Sequence, residues 1–179
     1  MDYEYQHPHP DPETDALIER LKSQLGQIAD HLDELRPALE AGKSLQELHP
    51  SSQADPDTLY PLCASLCDQG EYRHALPLAL HLVAYHPQEP RHAFMAGRCL
   101  QRLGVHEQAL AMYQLCMMAT GGPHATPLYR AGECLLALGD KEQALLAFEE
   151  AYDLGRASND YAEIQAMADR RIQQLSARG

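Results

Sequence analysis

Apolar residues recur every three or four positions along most of the chain, the spacing of one face of an α-helix. Ile18, Leu21, Leu25, Ile28, Leu32, Leu35 and Leu39 give three heptads with apolar first and fourth positions. They predict an amphipathic helix that Pro37 kinks or ends, because proline lacks the backbone donor and disfavours helical geometry at Arg36. Asp11 and Pro12 read as an N-cap and first helical position. Further on, one polar-apolar theme appears three times: CDQGEYRHALPLALHLVAYHP, LQRLGVHEQALAMYQLCMMA and LLALGDKEQALLAFEEAYDL. Their glycines, Gly70, Gly104 and Gly139, are spaced 34 and then 35 residues apart. A final 3-4 pattern, Tyr161, Ile164, Met167, Ala168, Ile172 and Leu175, predicts a closing amphipathic helix from Asn159 to Arg178.

A period near 34 residues, with glycine at the turn and small residues at a helix crossing, is the signature of tetratricopeptide helix pairs. The repeats are expected at residues 56–89, 90–123 and 125–158. Gly97 and Gly132 occupy the small position of the first helix; Ala75, Ala109 and Ala144 lie at the crossing, and Tyr113 and Phe148 fill the space beside it. A helix pair of this kind cannot bury its apolar face alone and stacks on the next pair. The expected fold is all-α: three tandem helix-turn-helix repeats in a short right-handed superhelix, with an N-terminal amphipathic helix and a C-terminal capping helix. The expected division is an acidic, Pro-rich disordered tail at 1–12, an N-terminal helical region at 13–48 for dimerisation, a linker at 49–56, the repeats at 56–158 and the cap at 159–179. Pro77, inside the second helix of the first repeat, is expected to bend it.

Composition narrows the function. The chain has 179 residues, and 14 Lys and Arg against 26 Asp and Glu give a net charge of −12. Such a surface repels phosphate backbones and argues against nucleic-acid binding. No apolar run approaches the roughly 18 residues of a membrane span, and the start MDYEYQHPHPDPETD has neither the basic nor the apolar region of a signal peptide. The expected location is cytoplasmic, and the five cysteines, with no CxxC, read as reduced apolar fillers.

Local motifs add no chemistry. AGKS at Ala41 has Pro37 where a phosphate loop needs glycine, and HEQAL at His106 has Leu110 where a zinc helix needs its second histidine. Cys63 and Cys67 are one turn apart but have no second ligand pair, so helix packing is the favoured reading and no metal or cofactor is expected. No nucleophile and base can be paired, so the chain is not expected to be an enzyme.

The combination of AGKSLQELHPSSQADPDTLYPLCASLCDQGEYRHA, LYRAGECLLALGDKEQALLAF and the closing helix resembles the class II translocator chaperones of type III secretion. The resemblance covers roughly Ala41 to Leu175. It implies a bacterial cytosolic chaperone that binds hydrophobic, pore-forming translocator proteins and keeps them soluble before export. It also implies a homodimer through the N-terminal helix (Ile18, Leu21, Leu25, Ile28, Leu32 and Leu35), and a concave groove for an extended peptide with Pro and Leu anchors. Mapped onto this chain, the groove comprises Tyr60, Ala64 and Cys67 in repeat one, Phe94, Arg98 and Gln101 in repeat two, and Tyr129, Glu133 and Leu136 in repeat three. Packing of Tyr60, Phe94 and Tyr129 within their own repeats is the competing reading, as is packing of the heptads against repeat one. Two other functions stay open. One is a generic tetratricopeptide scaffold holding a terminal carboxylate with Arg91, Arg98 and Arg102. The other is a regulatory co-activator.

Overall fold

The computed structural model describes residues 55–157 and 159–177, together with the helical positions Ala16 and Glu19. The heptads from Ile18 to Leu35, Pro37 and the AGKS segment lie outside the described residues. The described chain is all-helical, with seven α-helices: α1 Pro56–Asp68, α2 Tyr72–Tyr85, α3 Pro90–Arg102, α4 His106–Ala119, α5 Ala125–Ala137, α6 Lys141–Gly155 and α7 Ala162–Ser176. A short 3-10 turn, Asn159–Tyr161, precedes α7. Each helix packs on the one before it, so three antiparallel pairs stack in sequence and α7 closes the stack.

The turns within the pairs use one device three times. Gly70, Gly104 and Gly139 adopt φ of 82°, 79° and 87°, a region costly for any residue with a β-carbon. The amide following each glycine reaches back five residues to a carbonyl: Glu71 to Leu66, Val105 to Leu100 and Asp140 to Leu135, at 2.8, 2.9 and 3.0 Å. These Schellman caps satisfy carbonyls that the ending helix would leave unpaired. Starts are capped less uniformly. Asp55 accepts from the Asp57 amide (3.1 Å) and Asp140 from the Gln143 amide (3.0 Å), while Pro56 and Pro90 open α1 and α3, where no amide is needed.

Within each pair, close approach depends on small residues. A β-carbon on Gly97 would meet the Tyr113 ring at 2.7 Å, and one on Gly132 would meet the Phe148 ring at 2.7 Å. Ala75, Ala109 and Ala144 are buried beside them. One core runs through the first two pairs and extends to Ala131 and Cys134. A second joins α5 and α6 to Ala168, Ile164, Met167, Ile172 and Leu175 of the capping helix. The α6–α7 corner is equally tight, since a β-carbon on Gly155 would meet Gln165 at 3.0 Å. α2 continues through Pro77, and α1 through Pro61. Among the described residues no helix is long and apolar enough to cross a membrane.

Candidate functional site

The first helices of the three pairs, α1, α3 and α5, carry all nine expected groove residues, and the structure divides them. Tyr60, Ala64, Phe94, Arg98, Gln101, Glu133 and Leu136 are partly exposed. Cys67 and Tyr129 are not, at 1% and 2% exposure. Tyr129 is held in its own pair, its ring 5.4 Å from that of Phe148, with the Arg130 guanidinium 5.7 Å from the ring centre. It supports the face from beneath rather than presenting a side chain to a ligand. Cys67 turns inward for a different reason: its thiol lies 3.3 Å from the Cys99 sulfur and 3.5 Å from the Met95 sulfur, between α1 and α3.

The two remaining aromatics differ in their support. Phe94 leans on the buried Tyr113 with ring centres 5.6 Å apart. Tyr60 projects between elements, 5.8 Å from the ring of His92 and 4.9 Å beneath the Arg91 guanidinium. With Ala64 one turn further along α1, and Leu136 at the far end of α5, they leave apolar surface spread along the first helices of three successive pairs.

Polar residues on this face are tied to one another. The buried Tyr113 hydroxyl donates to Gln101 at 2.7 Å, and Gln101 donates through Nε2 to Glu133 at 3.0 Å. Arg130 reaches the same carboxylate oxygen at 2.8 Å, and Arg171 of the capping helix reaches the other at 3.5 Å. Burial pushes the Tyr113 phenol far above its ordinary range, so it remains a neutral donor. The chain Tyr113–Gln101–Glu133–Arg130 therefore links pairs two and three and, through Arg171, the cap. The sequence gives no sign of Arg171 here. Arg130 carries a weak one, standing three residues before Glu133 on the same helix.

The three arginines considered for a carboxylate clamp do not converge. Arg91 pairs with Glu89 at 3.0 Å, Arg98 with Asp68 at 3.3 Å, and Arg102 lies over the Tyr72 ring at 5.3 Å. Among the described residues no group of His, Cys, Asp and Glu is arranged to hold a metal ion. A hollow of about 640 Å³, which shares no lining residue with the nine, lies between the end of α4 and the α5–α6 pair, lined by Met117, Met118, Pro123 and Leu128 among others.

The arrangement can be set against known proteins. No curated protein matches the sequence. A family model described as anaphase-promoting complex, cyclosome, subunit 3 matches residues 68–151, the repeat core. A type III secretion complex from Aeromonas hydrophila superposes with a TM-score of 0.72 at 26% identity, covering 82% of this chain and 97% of that one. PcrH of Pseudomonas aeruginosa, bound to the chaperone-binding region of PopD, gives 0.65 at 27% identity, over 68% of this chain and 91% of that one. This chain is thus similar, across most of its length, to translocator chaperones of type III secretion. The Yersinia enterocolitica translocator chaperone SycD shares the fold, with a TM-score of 0.65 at 20% identity over 74% of this chain and 98% of its own.

Among the described residues, the partly exposed side chains of α1, α3 and α5 thus combine apolar groups with polar ones that bond to one another across the pairs.

Proposed function

We propose that this chain, similar to the translocator chaperones, is a cytoplasmic chaperone of a type III secretion system. It binds hydrophobic translocator proteins and keeps them soluble before export by seating an extended client segment along α1, α3 and α5. The observation that carries the reading is the face itself: Tyr60, Ala64, Phe94 and Leu136 are partly exposed apolar groups on successive first helices, in a fold shared with PcrH bound to the chaperone-binding region of PopD. Burial of about 400 Å² of apolar client surface at about 25 cal/mol per Å² supplies roughly 10 kcal/mol. Ordering and association costs reduce this to micromolar-type affinity, which suits a holder that must release its cargo. The acidic surface, at net charge −12, favours basic or apolar clients and opposes nucleic acid.

The division of the groove set refines the anchors. Tyr60, Ala64, Phe94 and Leu136 contact the client; Gln101 and Glu133 hold the pairs in register; Cys67 and Tyr129 form the floor. The scattered arginines disfavour a carboxylate-clamp scaffold. Self-association through Ile18, Leu21, Leu25, Ile28, Leu32 and Leu35 completes the proposal. The test is co-expression with proteins from adjacent reading frames that carry apolar hairpins, scored by client solubility and co-purification. Tyr60→Ala combined with Leu136→Asp is expected to abolish capture while circular dichroism stays helical. Capture unchanged by that pair would overturn the groove assignment.

A further inference from the structure

Three thiols meet where α1 crosses α3, beneath the groove. Cys63, Cys67 and Cys99 are buried, the Cys63 sulfur donates to the Ala75 carbonyl at 3.4 Å, and the Cys67 and Cys99 sulfurs lie 3.3 Å apart. Helix packing alone asks only for small apolar residues here, as Ala79 and Ala96 show in the same core. The other two cysteines, Cys116 and Cys134, are also buried.

We propose that Cys67 and Cys99 form a reversible disulfide under peroxide stress, locking the first helix pair onto the second. A disulfide sulfur pair is about 2.05 Å apart, so the two sulfurs must close by little more than an ångström. Both thiols are buried, at 1% and 0% exposure, so peroxide reaches Cys67 through transient opening of the α1–α3 contact. Peroxide oxidises the Cys67 thiol to a sulfenic acid with release of water, and the Cys99 thiol then attacks that sulfur and expels a second water. The peroxide is reduced, both sulfurs are oxidised, and a cellular dithiol reductant reverses the bond. Burial raises the Cys67 thiol, and the Cys63 hydrogen bond together with burial raises the Cys99 thiol, so the reaction is slow at neutral pH and accelerates as pH rises.

The bond would cross-link pairs one and two directly below Tyr60 and Ala64, fixing the groove floor. Its effect on clients rests on the proposed function; its formation does not. The experiment treats the reduced full chain with hydrogen peroxide, then alkylates under denaturing conditions and maps peptides by mass spectrometry. The expected product is a Cys67–Cys99 cross-linked peptide lacking two hydrogens, with Cys116 and Cys134 fully alkylated and the link lost on dithiothreitol. Cys99→Ser should leave a Cys67 sulfenic acid that dimedone captures. All five cysteines remaining alkylatable, a bond using Cys63 instead, or links only between chains would each overturn the proposal. A confirmed bond that leaves client capture unchanged would retain the switch and separate it from the chaperone reading.

Discussion

A β-carbon placed on Gly132 would stand 2.7 Å from the Cε1 atom of Phe148, whose ring is fully buried against it. Two effects of Gly132→Ala oppose each other. Removing a helical glycine gains up to about 1 kcal/mol. Forcing a methyl group into a packed ring costs about 1–3 kcal/mol, and this ring has no open side. Overpacking wins, and the variant should be destabilised by about 1–2 kcal/mol in urea unfolding. Phe148→Leu in the same chain should recover part of that loss, giving a non-additive double-mutant cycle. Simple additivity would mean that the two residues do not clash.

Glu133 is the acceptor that three donors share. Glu133→Ala leaves Gln101, Arg130 and Arg171 without it. Its side chain is only 16% exposed, so solvent screening offsets little of the loss. A cost of about 1–3 kcal/mol is expected, read as a lower urea midpoint. Arg171→Ala, which removes the 3.5 Å contact to Glu133 and an exposed 3.4 Å bond to Gln174, should cost less. The reverse order would show that the cap, rather than the pair-to-pair link, dominates.

His92 makes stability depend on pH. It is 1% exposed, its Nδ1 lies 3.3 Å from the His86 carbonyl, and its Nε2 has no hydrogen-bond partner. Burial first, with the charges of Arg91 and His86 adding to it, holds its pKa below the ordinary histidine value; the bond to the His86 carbonyl and the charge of Glu89 act in the opposite direction. The unfolded chain therefore binds the proton more readily than the folded one. Stability should be flat above about pH 7 and fall as pH drops below the unfolded value of about 6.5. Thermal melts between pH 7.5 and 5.5 check this, and His92→Phe should flatten the slope. Some slope should persist, because burial also lowers His81.

The repeats were legible because each depends on a residue type with one physical job. Turn glycines recur at 70, 104 and 139 with positive φ, and Gly97 with Tyr113 or Gly132 with Phe148 marks a crossing. The site was only partly legible. A helical period places Tyr60, Phe94 and Tyr129 on one face, but their exposure depends on what else reaches them. Tyr129 is closed in by Phe148 and Arg130, next to a capping helix that packs on α5. Cys67 turns toward Cys99, 32 residues away, and Arg171 meets Glu133 across 38. Periodicity carries no information about such distant pairings.

Tyr60 and Phe94, the two partly exposed aromatics of the expected groove, should therefore respond differently to truncation. Tyr60 contacts a neighbouring histidine and arginine at the edge of the stack, so Tyr60→Ala should cost little stability. Its loss from a client pocket should weaken binding by about 5- to 20-fold, equivalent to about 1–2 kcal/mol. Phe94 also covers Tyr113, and that hydroxyl begins the chain to Gln101 and Glu133. Phe94→Ala should lower both client affinity and the urea midpoint, because it exposes the filler on which pair two closes. Isothermal titration with a client peptide, run well below each variant's melting point, separates the two effects. If Tyr60→Ala proved the more destabilising change, Tyr60 would be a structural residue and the client-facing surface would begin at Phe94.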